Sequence, residues 1–255
     1  MPEVIKLPSS ASLAKPGVCE IKAFRDLQDM LIFCQRIGQI GISVGPTGCG
    51  KTTTTQAFVD KNLRTFYVRL TTVSNTVQPF LVKLCEALGT YGATNLGKAD
   101  LFDQAVRKLG RHDHALIIVD EMNHGTAEVI HLLRDLWDAA RCGIALVGTP
   151  EMETLWVERA GRKAGRGDAF AAFRARIGQR LELTKPGPAD VDALCQHLGL
   201  KGKRERDLIS RHVRAWDGMH SLEQLLRNAQ EIAGDGNAVT VEHLFDAASL
   251  TGAVA

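Results

Sequence analysis

No two of the six cysteines, Cys19, Cys34, Cys49, Cys85, Cys142 and Cys195, stand in a C-x-x-C pair. Thiols scattered in this way exclude a zinc ribbon and a disulfide framework, and they suit a reducing compartment. No apolar run approaches the roughly 20 residues that span a bilayer. No apolar core follows the first charges of the N-terminus, as a signal peptide would require. The expected location is therefore cytoplasmic, with no membrane partner. An excess of either charge is also missing, since 31 Lys and Arg against 29 Asp and Glu leave +2. That balance neither demands nor excludes nucleic acid; any basic surface must be local. Internal repeats and low-complexity tracts are absent too. What remains is a 255-residue chain, 45% hydrophobic, able to bury one large core or one core plus a small one.

Into this unremarkable background falls one specific motif. Gly45-Pro46-Thr47-Gly48-Cys49-Gly50-Lys51-Thr52 fits G-x-x-x-x-G-K-[ST], the phosphate-cradling loop of P-loop NTPases. Residues 40–44 before it read as a buried strand, and the residues from Thr53 to Lys61 after it read as a helix. Glycines let the backbone curl so that several N–H groups point at an anion. The helix N-terminus adds partial positive charge. The candidate ATP-binding segment is thus Gly45 to Thr53. Lys51 is expected to reach the β- and γ-phosphates, and the Thr52 hydroxyl to ligate Mg²⁺.

The periodicity along the chain predicts alternating helices and strands. Residues 21–37 look helical. Further strands are expected at 65–70, 115–120, 144–147 and 180–183. Helices are expected between them at 80–88, 100–109, with Asp100 as N-cap, and 126–140. Strands separated by helices imply a parallel sheet covered on both faces. Residues 1–20, rich in Pro and Ser, read as an extended arm. Lys185-Pro186-Gly187-Pro188 marks a break, beyond which only helical pattern follows. The expected organisation is an arm at 1–20, an αβα nucleotide-binding domain at 21–184, and a small helical lid at 185–255.

Leu116-Ile117-Ile118-Val119-Asp120-Glu121 is the second strong signal. An apolar strand delivering two carboxylates at its C-terminal end matches a Walker B element, and ligands bind beyond the carboxyl ends of parallel strands. Asp120 is the candidate for the Mg²⁺ shell. Glu121 is the candidate for orienting and polarising the attacking water. Thr149, where the fourth strand ends, is a candidate contact for that water or the γ-phosphate. His112-Asp113-His114 has nothing nearby to complete a metal-ligand set.

A helical domain following the sheet resembles the AAA+ ATPases: an αβα sandwich on a five-stranded parallel sheet, then an all-helical lid. That resemblance implies a ring or helical filament in which an Arg from one subunit reaches the neighbour's γ-phosphate. Arg174 is the first candidate for this finger and Arg176 the second. Within the AAA+ group, the L-V-G-T run at 146–149 and L-x-x-L-L-R-x-A at 222–229 resemble the Mu B-type regulators of transposition and their relatives in Tn-type elements. The similarity extends over roughly residues 21–250. It implies a protein that polymerises with ATP on duplex DNA with little sequence preference, recruits a transposase, and disassembles on hydrolysis. Two features depart from the pattern. Ser221 stands where many lids carry a sensor Arg, with His220 beside it, and no helical DNA-binding domain precedes the ATPase.

For DNA, the candidates are Thr71 and Thr72 in a hydroxyl-rich loop, Lys98, and the basic run Arg159, Arg162, Lys163 and Arg166. Such side chains bond phosphate without reading sequence. Three alternatives remain open: a helicase-loader ATPase, a secretion-assembly ATPase, and a DNA-coating protein that ATP merely locks in place.

Overall fold

The computed structural model describes residues 18–152, 154, 173–215, 217–234 and 237–250. Helix α1 (Lys22–Ile37) leads into β1 (Ile40–Val44), followed by α2 (Lys51–Lys61) and β2 (Thr65–Arg69). Then come α3 (Val77–Ala87), α4 (Lys98–Leu109), β3 (Leu116–Asp120), α5 (Ala127–Ala140), β4 (Gly143–Gly148) and β5 (Ile177–Glu182). Among the described residues, α6 (Pro188–Leu198), α7 (Lys203–Arg214), α8 (Met219–Ala233) and α9 (Val241–Leu250) follow.

The five strands form one sheet in the order β2-β3-β4-β1-β5. Every pairing is parallel, as the alternating pattern predicted. The three inner strands explain why. β3 and β4 are buried at every position and β1 at all but its last. Strands apolar on both faces need cover on both faces, which crossover helices supply. The edge strand β5 instead alternates between half-buried and exposed. It begins at Ile177, three residues before the expected start, because Ile-Gly-Gln-Arg carries little apolar signal. Helix α4 also differs: its N-cap is Gly97, and Asp100 lies inside the first turn, not at the cap. An acidic side chain there still favours the positive end of the helix dipole.

Packing divides the chain into two compact units. One comprises Asp26–Gly45 and Thr52–Leu183. It holds the sheet and a core built from Ile40, Ile42, Val68, Phe80, Leu84, Ile117, Val119, Leu133 and Leu146. The other takes Met1–Arg25, Pro46–Lys51 and Thr184–Ala255. Its helices bury Val191, Leu194, Leu208, Ile209, Val213, Leu222, Leu225, Leu244 and Ala247. Among the described residues, no helix is long and apolar enough to cross a membrane.

Candidate active site

Four strands of the sheet unit end at the same edge. The Gly45 N–H at the end of β1 donates to the Gly148 carbonyl at the end of β4, 3.2 Å away. The Leu70 N–H after β2 donates to the carbonyl of Asp120, 3.0 Å. Parallel register brings Arg69 opposite Asp120. The carboxyl ends of β1, β2, β3 and β4 thus converge where the sequence places its polar residues.

Asp120 is the centre of this edge. Its residue surface is 1% exposed. Its Oδ2 accepts from the Thr52 hydroxyl at 2.9 Å and from the Tyr67 hydroxyl at 2.8 Å. Its Oδ1 accepts from the Glu121 N–H at 2.8 Å. The two residues expected to hold Mg²⁺ are therefore in direct contact. A hydroxyl and a carboxylate are hard oxygen donors, and that set suits Mg²⁺. Softer cages are missing: no group of three His, Cys, Asp or Glu able to hold a metal occurs among the described residues.

Glu121 adopts a left-handed backbone, φ 55° and ψ 39°. A non-glycine residue held there costs about 1–3 kcal/mol, and such strain clusters at working sites. Beside it, Arg69 Nη2 lies 3.5 Å from Glu121 Oε1, with the two side chains 57% and 31% exposed. An ion pair that open to water is worth under about 1 kcal/mol, so Glu121 is loosely tethered. Tyr67 and Arg69, two apart on β2, escaped the sequence reading. Side chains two apart share a strand face, but which neighbours they meet depends on register. Burial first, then the charge of Asp120, pushes the Tyr67 phenol well above its ordinary pKa of 10, so it remains a donor.

Thr149 follows β4 and is half-buried; its carbonyl accepts from the Met152 N–H at 3.0 Å. Arg174 is exposed next to fully buried Phe173. Arg176 is engaged within its own chain. Its Nε and Nη2 reach Asp138 at 3.3 and 3.2 Å, and its guanidinium lies 5.9 Å from the Trp137 ring centre. Arg159, Arg162, Lys163 and Arg166 lie outside the described residues.

Pro46–Lys51 of the phosphate loop belong to the second unit. Lys51 Nζ donates to the Pro46 carbonyl at 2.8 Å and lies 3.9 Å from Cys49 Sγ. Burial raises the Cys49 thiol pKa against the nearby Lys51 charge, so the thiol stays protonated. Gly48 has φ +73°, and its carbonyl accepts from the Met219 N–H at 2.7 Å, at the start of α8. A Cβ on Gly48 would stand 1.8 Å from the Asp217 carbonyl oxygen. Gly48 thus allows two backbones to touch. Gly50, at φ +94°, would meet nothing within 4 Å. Gly48→Ala is expected to cost about 2–5 kcal/mol, from the left-handed dihedral and from displaced backbone together. Gly50→Ala should cost about 1–2 kcal/mol, from the dihedral alone. Denaturant midpoints of the two variants check the difference; equal losses would contradict it.

Ser221, the residue expected at the sensor position, turns into the helical unit. Its hydroxyl lies 2.9 Å from Nδ1 of buried His212. Burial, and then the Arg211 charge, hold the His212 pKa below its usual value. His220 is exposed, 3.8 Å from Glu223.

Comparison with known proteins finds similarity in two regions of the chain. A family model for an AAA domain matches residues 35–156, and one for the C-terminal part of the Mu B transposition protein matches residues 175–250. The chain is therefore similar to AAA domains in its first part and to the Mu B proteins in its last. It is 25% identical over 233 residues to the ATP-dependent target DNA activator B of Escherichia phage Mu, covering 91% of this chain and 72% of that protein. The Mu-like prophage FluMu DNA transposition protein B of Haemophilus influenzae is 25% identical over 190 residues, 74% and 64% of the two chains. Among solved structures, the ORC2 protein of Aeropyrum pernix superposes with TM-score 0.59 at 16% identity, covering 98% of this chain and 69% of that one. A Walker-type ATPase of Pyrococcus abyssi gives TM-score 0.57 at 13% identity, covering 98% and 77%. The fold is that of a P-loop AAA ATPase with a helical C-terminal region, as the motifs predicted.

Proposed function

We propose that this protein is an ATP-hydrolysing regulator of transposition that assembles on target duplex DNA and engages a transposase. The similarity to target DNA activator B across 91% of the chain carries the reading, because it includes the C-terminal helices and not the Walker motifs alone. In this reading Gly45 to Thr53 cradle the phosphates of ATP. Thr52 and Asp120 hold Mg²⁺, which neutralises phosphate charge. Glu121 orients and polarises the attacking water, and Thr149 contacts that water or the γ-phosphate. Arg174, exposed beside buried Phe173, is the first candidate finger toward a neighbouring subunit, and Arg176, which pairs with Asp138, the second. Hydrolysis then releases the assembly from DNA.

Three of the DNA candidates, Thr71, Thr72 and Lys98, support this reading by their placement. Gln78 Nε2, in the first turn of α3, reaches the Leu96 carbonyl at 3.4 Å, just before α4. The loop after β2 therefore lies near Lys98, and both stand at one edge of the sheet unit. Thr72 and Lys98 are exposed there. Thr71 is half-buried, and its hydroxyl is 2.8 Å from that of Ser74, which stiffens the turn and leaves Thr72 to face outward. These groups suit phosphate contacts without base readout.

Lys98→Glu is expected to weaken duplex binding about equally on all sequences and to lower the salt slope by about 1. Titrations of labelled duplexes at several salt concentrations measure both. The reading as a whole is tested by electron microscopy of the protein with duplex DNA and a non-hydrolysable ATP analogue. ATP-dependent assemblies on duplex DNA are expected. A preference for single strands would favour a helicase loader, and assemblies with negligible turnover even beside a transposase would favour a DNA-coating protein.

A further inference from the structure

Asp120 has more partners than a metal-site carboxylate needs from the Walker motifs alone. An ionised carboxylate offers about four lone-pair sites. Two on Oδ2 are taken by the Thr52 and Tyr67 hydroxyls, at 2.9 and 2.8 Å. One on Oδ1 is taken by the Glu121 N–H at 2.8 Å. A single site on Oδ1 remains for water around a metal ion. With both oxygens anchored, the carboxylate cannot rotate about its Cβ–Cγ bond without breaking hydrogen bonds.

The three donors come from different places. Thr52 is in the first turn of α2, and Glu121 N–H is the next peptide along. Tyr67 comes from the edge strand β2. The register pairs Tyr67 with Ile118, so its ring reaches one diagonal step along β3 to meet Asp120. The Thr52 hydroxyl spends its proton on Asp120, which turns its lone pairs outward, the direction a cation would need. Tyr67 holds the carboxylate that holds Thr52.

We infer that Tyr67 is a positioning residue for the Mg²⁺ site: its phenol fixes Asp120, and through Asp120 it aims the Thr52 hydroxyl at the metal. The inference rests on the ATPase reading above. Tyr67 touches neither nucleotide nor metal in this scheme. Removing only its hydroxyl should loosen the carboxylate and lower the metal's contribution, while phosphate contacts from the loop survive. Outer-shell partners of metal ligands typically carry about 10–100-fold in metal affinity.

The test is binding of a fluorescent ATP analogue to the full-length protein and to Tyr67→Phe, with EDTA and across a Mg²⁺ titration. Wild type should bind more tightly with Mg²⁺; if it shows no Mg²⁺-supported binding, the ATPase reading itself has failed. In Tyr67→Phe, affinity in EDTA should match wild type, and the Mg²⁺ needed for half the effect should rise about tenfold. A Mg²⁺ requirement that is unchanged or lower overturns the proposal. So does an equal loss of affinity with and without Mg²⁺, which would mark Tyr67 as mere support for the fold. A second measurement does not depend on that variant folding. The chain's two tyrosines are Tyr67 and Tyr91, and Tyr91 is fully exposed. In Tyr91→Phe, ultraviolet difference spectra report Tyr67 alone among tyrosines. Adding Mg²⁺ to the nucleotide complex should perturb its absorbance, and no tyrosine signal would overturn the proposal.

Discussion

Glu121→Gln is expected to slow ATP turnover about 10²- to 10⁴-fold, the range a positioned general base contributes, while ATP and DNA binding persist. The amide keeps the size and shape of the side chain. It also keeps the left-handed backbone at φ 55°, which the surrounding structure already imposes on a residue with a Cβ. What it loses is the ability to take a proton from water. The one contact broken is the 3.5 Å pair with Arg69, which at that exposure contributes under about 1 kcal/mol. Asp120 is untouched, because it is the Glu121 main-chain N–H, not the side chain, that bonds its Oδ1. Metal and nucleotide should therefore still bind. If hydrolysis is what disassembles the protein from DNA, complexes of this variant should outlive those of wild type. Phosphate release and the lifetime of DNA complexes after dilution measure the two halves. Turnover at the wild-type rate would remove Glu121 from the chemistry.

The parts of this site differ in how visible they are in the sequence. The buried strands β1, β3 and β4 announce themselves as continuous apolar runs, and the two Walker elements end in chemistry that no core needs. β5 is half-solvated, so its first residues, Ile177 to Gln179, look like loop. Gly97 caps α4 without a side chain, which is why Asp100 drew attention instead. The β2 residues are hidden for a different reason. Tyr67 and Arg69 sit in an ordinary edge strand, and only the parallel register with β3 makes them neighbours of Asp120 and Glu121. Nothing local encodes that register. The meeting of Gly48 with Asp217 and Met219 is equally silent, since it is a backbone contact between segments about 170 residues apart. The motif marks Gly48 as a loop glycine without revealing what its missing Cβ makes room for.

Lys51→Ala is expected to weaken ATP binding about 10- to 150-fold, from the loss of charge-assisted hydrogen bonds worth about 1.5–3 kcal/mol. The Lys51 ammonium donates to the Pro46 carbonyl at 2.8 Å, inside its own loop. A neutral carbonyl is a weaker partner for it than a phosphate oxygen. Alanine keeps a good helix former at the start of α2, so the loss should fall on affinity and not on the helix. Assembly on DNA should fail at ATP concentrations that support wild type and return in part when ATP is raised, if nucleotide occupancy is what permits it. DNA coating that continues undiminished while ATP binding is lost would sink the ATP-gated reading. The two substitutions push in opposite directions, Lys51→Ala toward bare DNA and Glu121→Gln toward DNA that stays covered. Only a protein whose DNA-bound state is made by ATP binding and ended by hydrolysis gives both results.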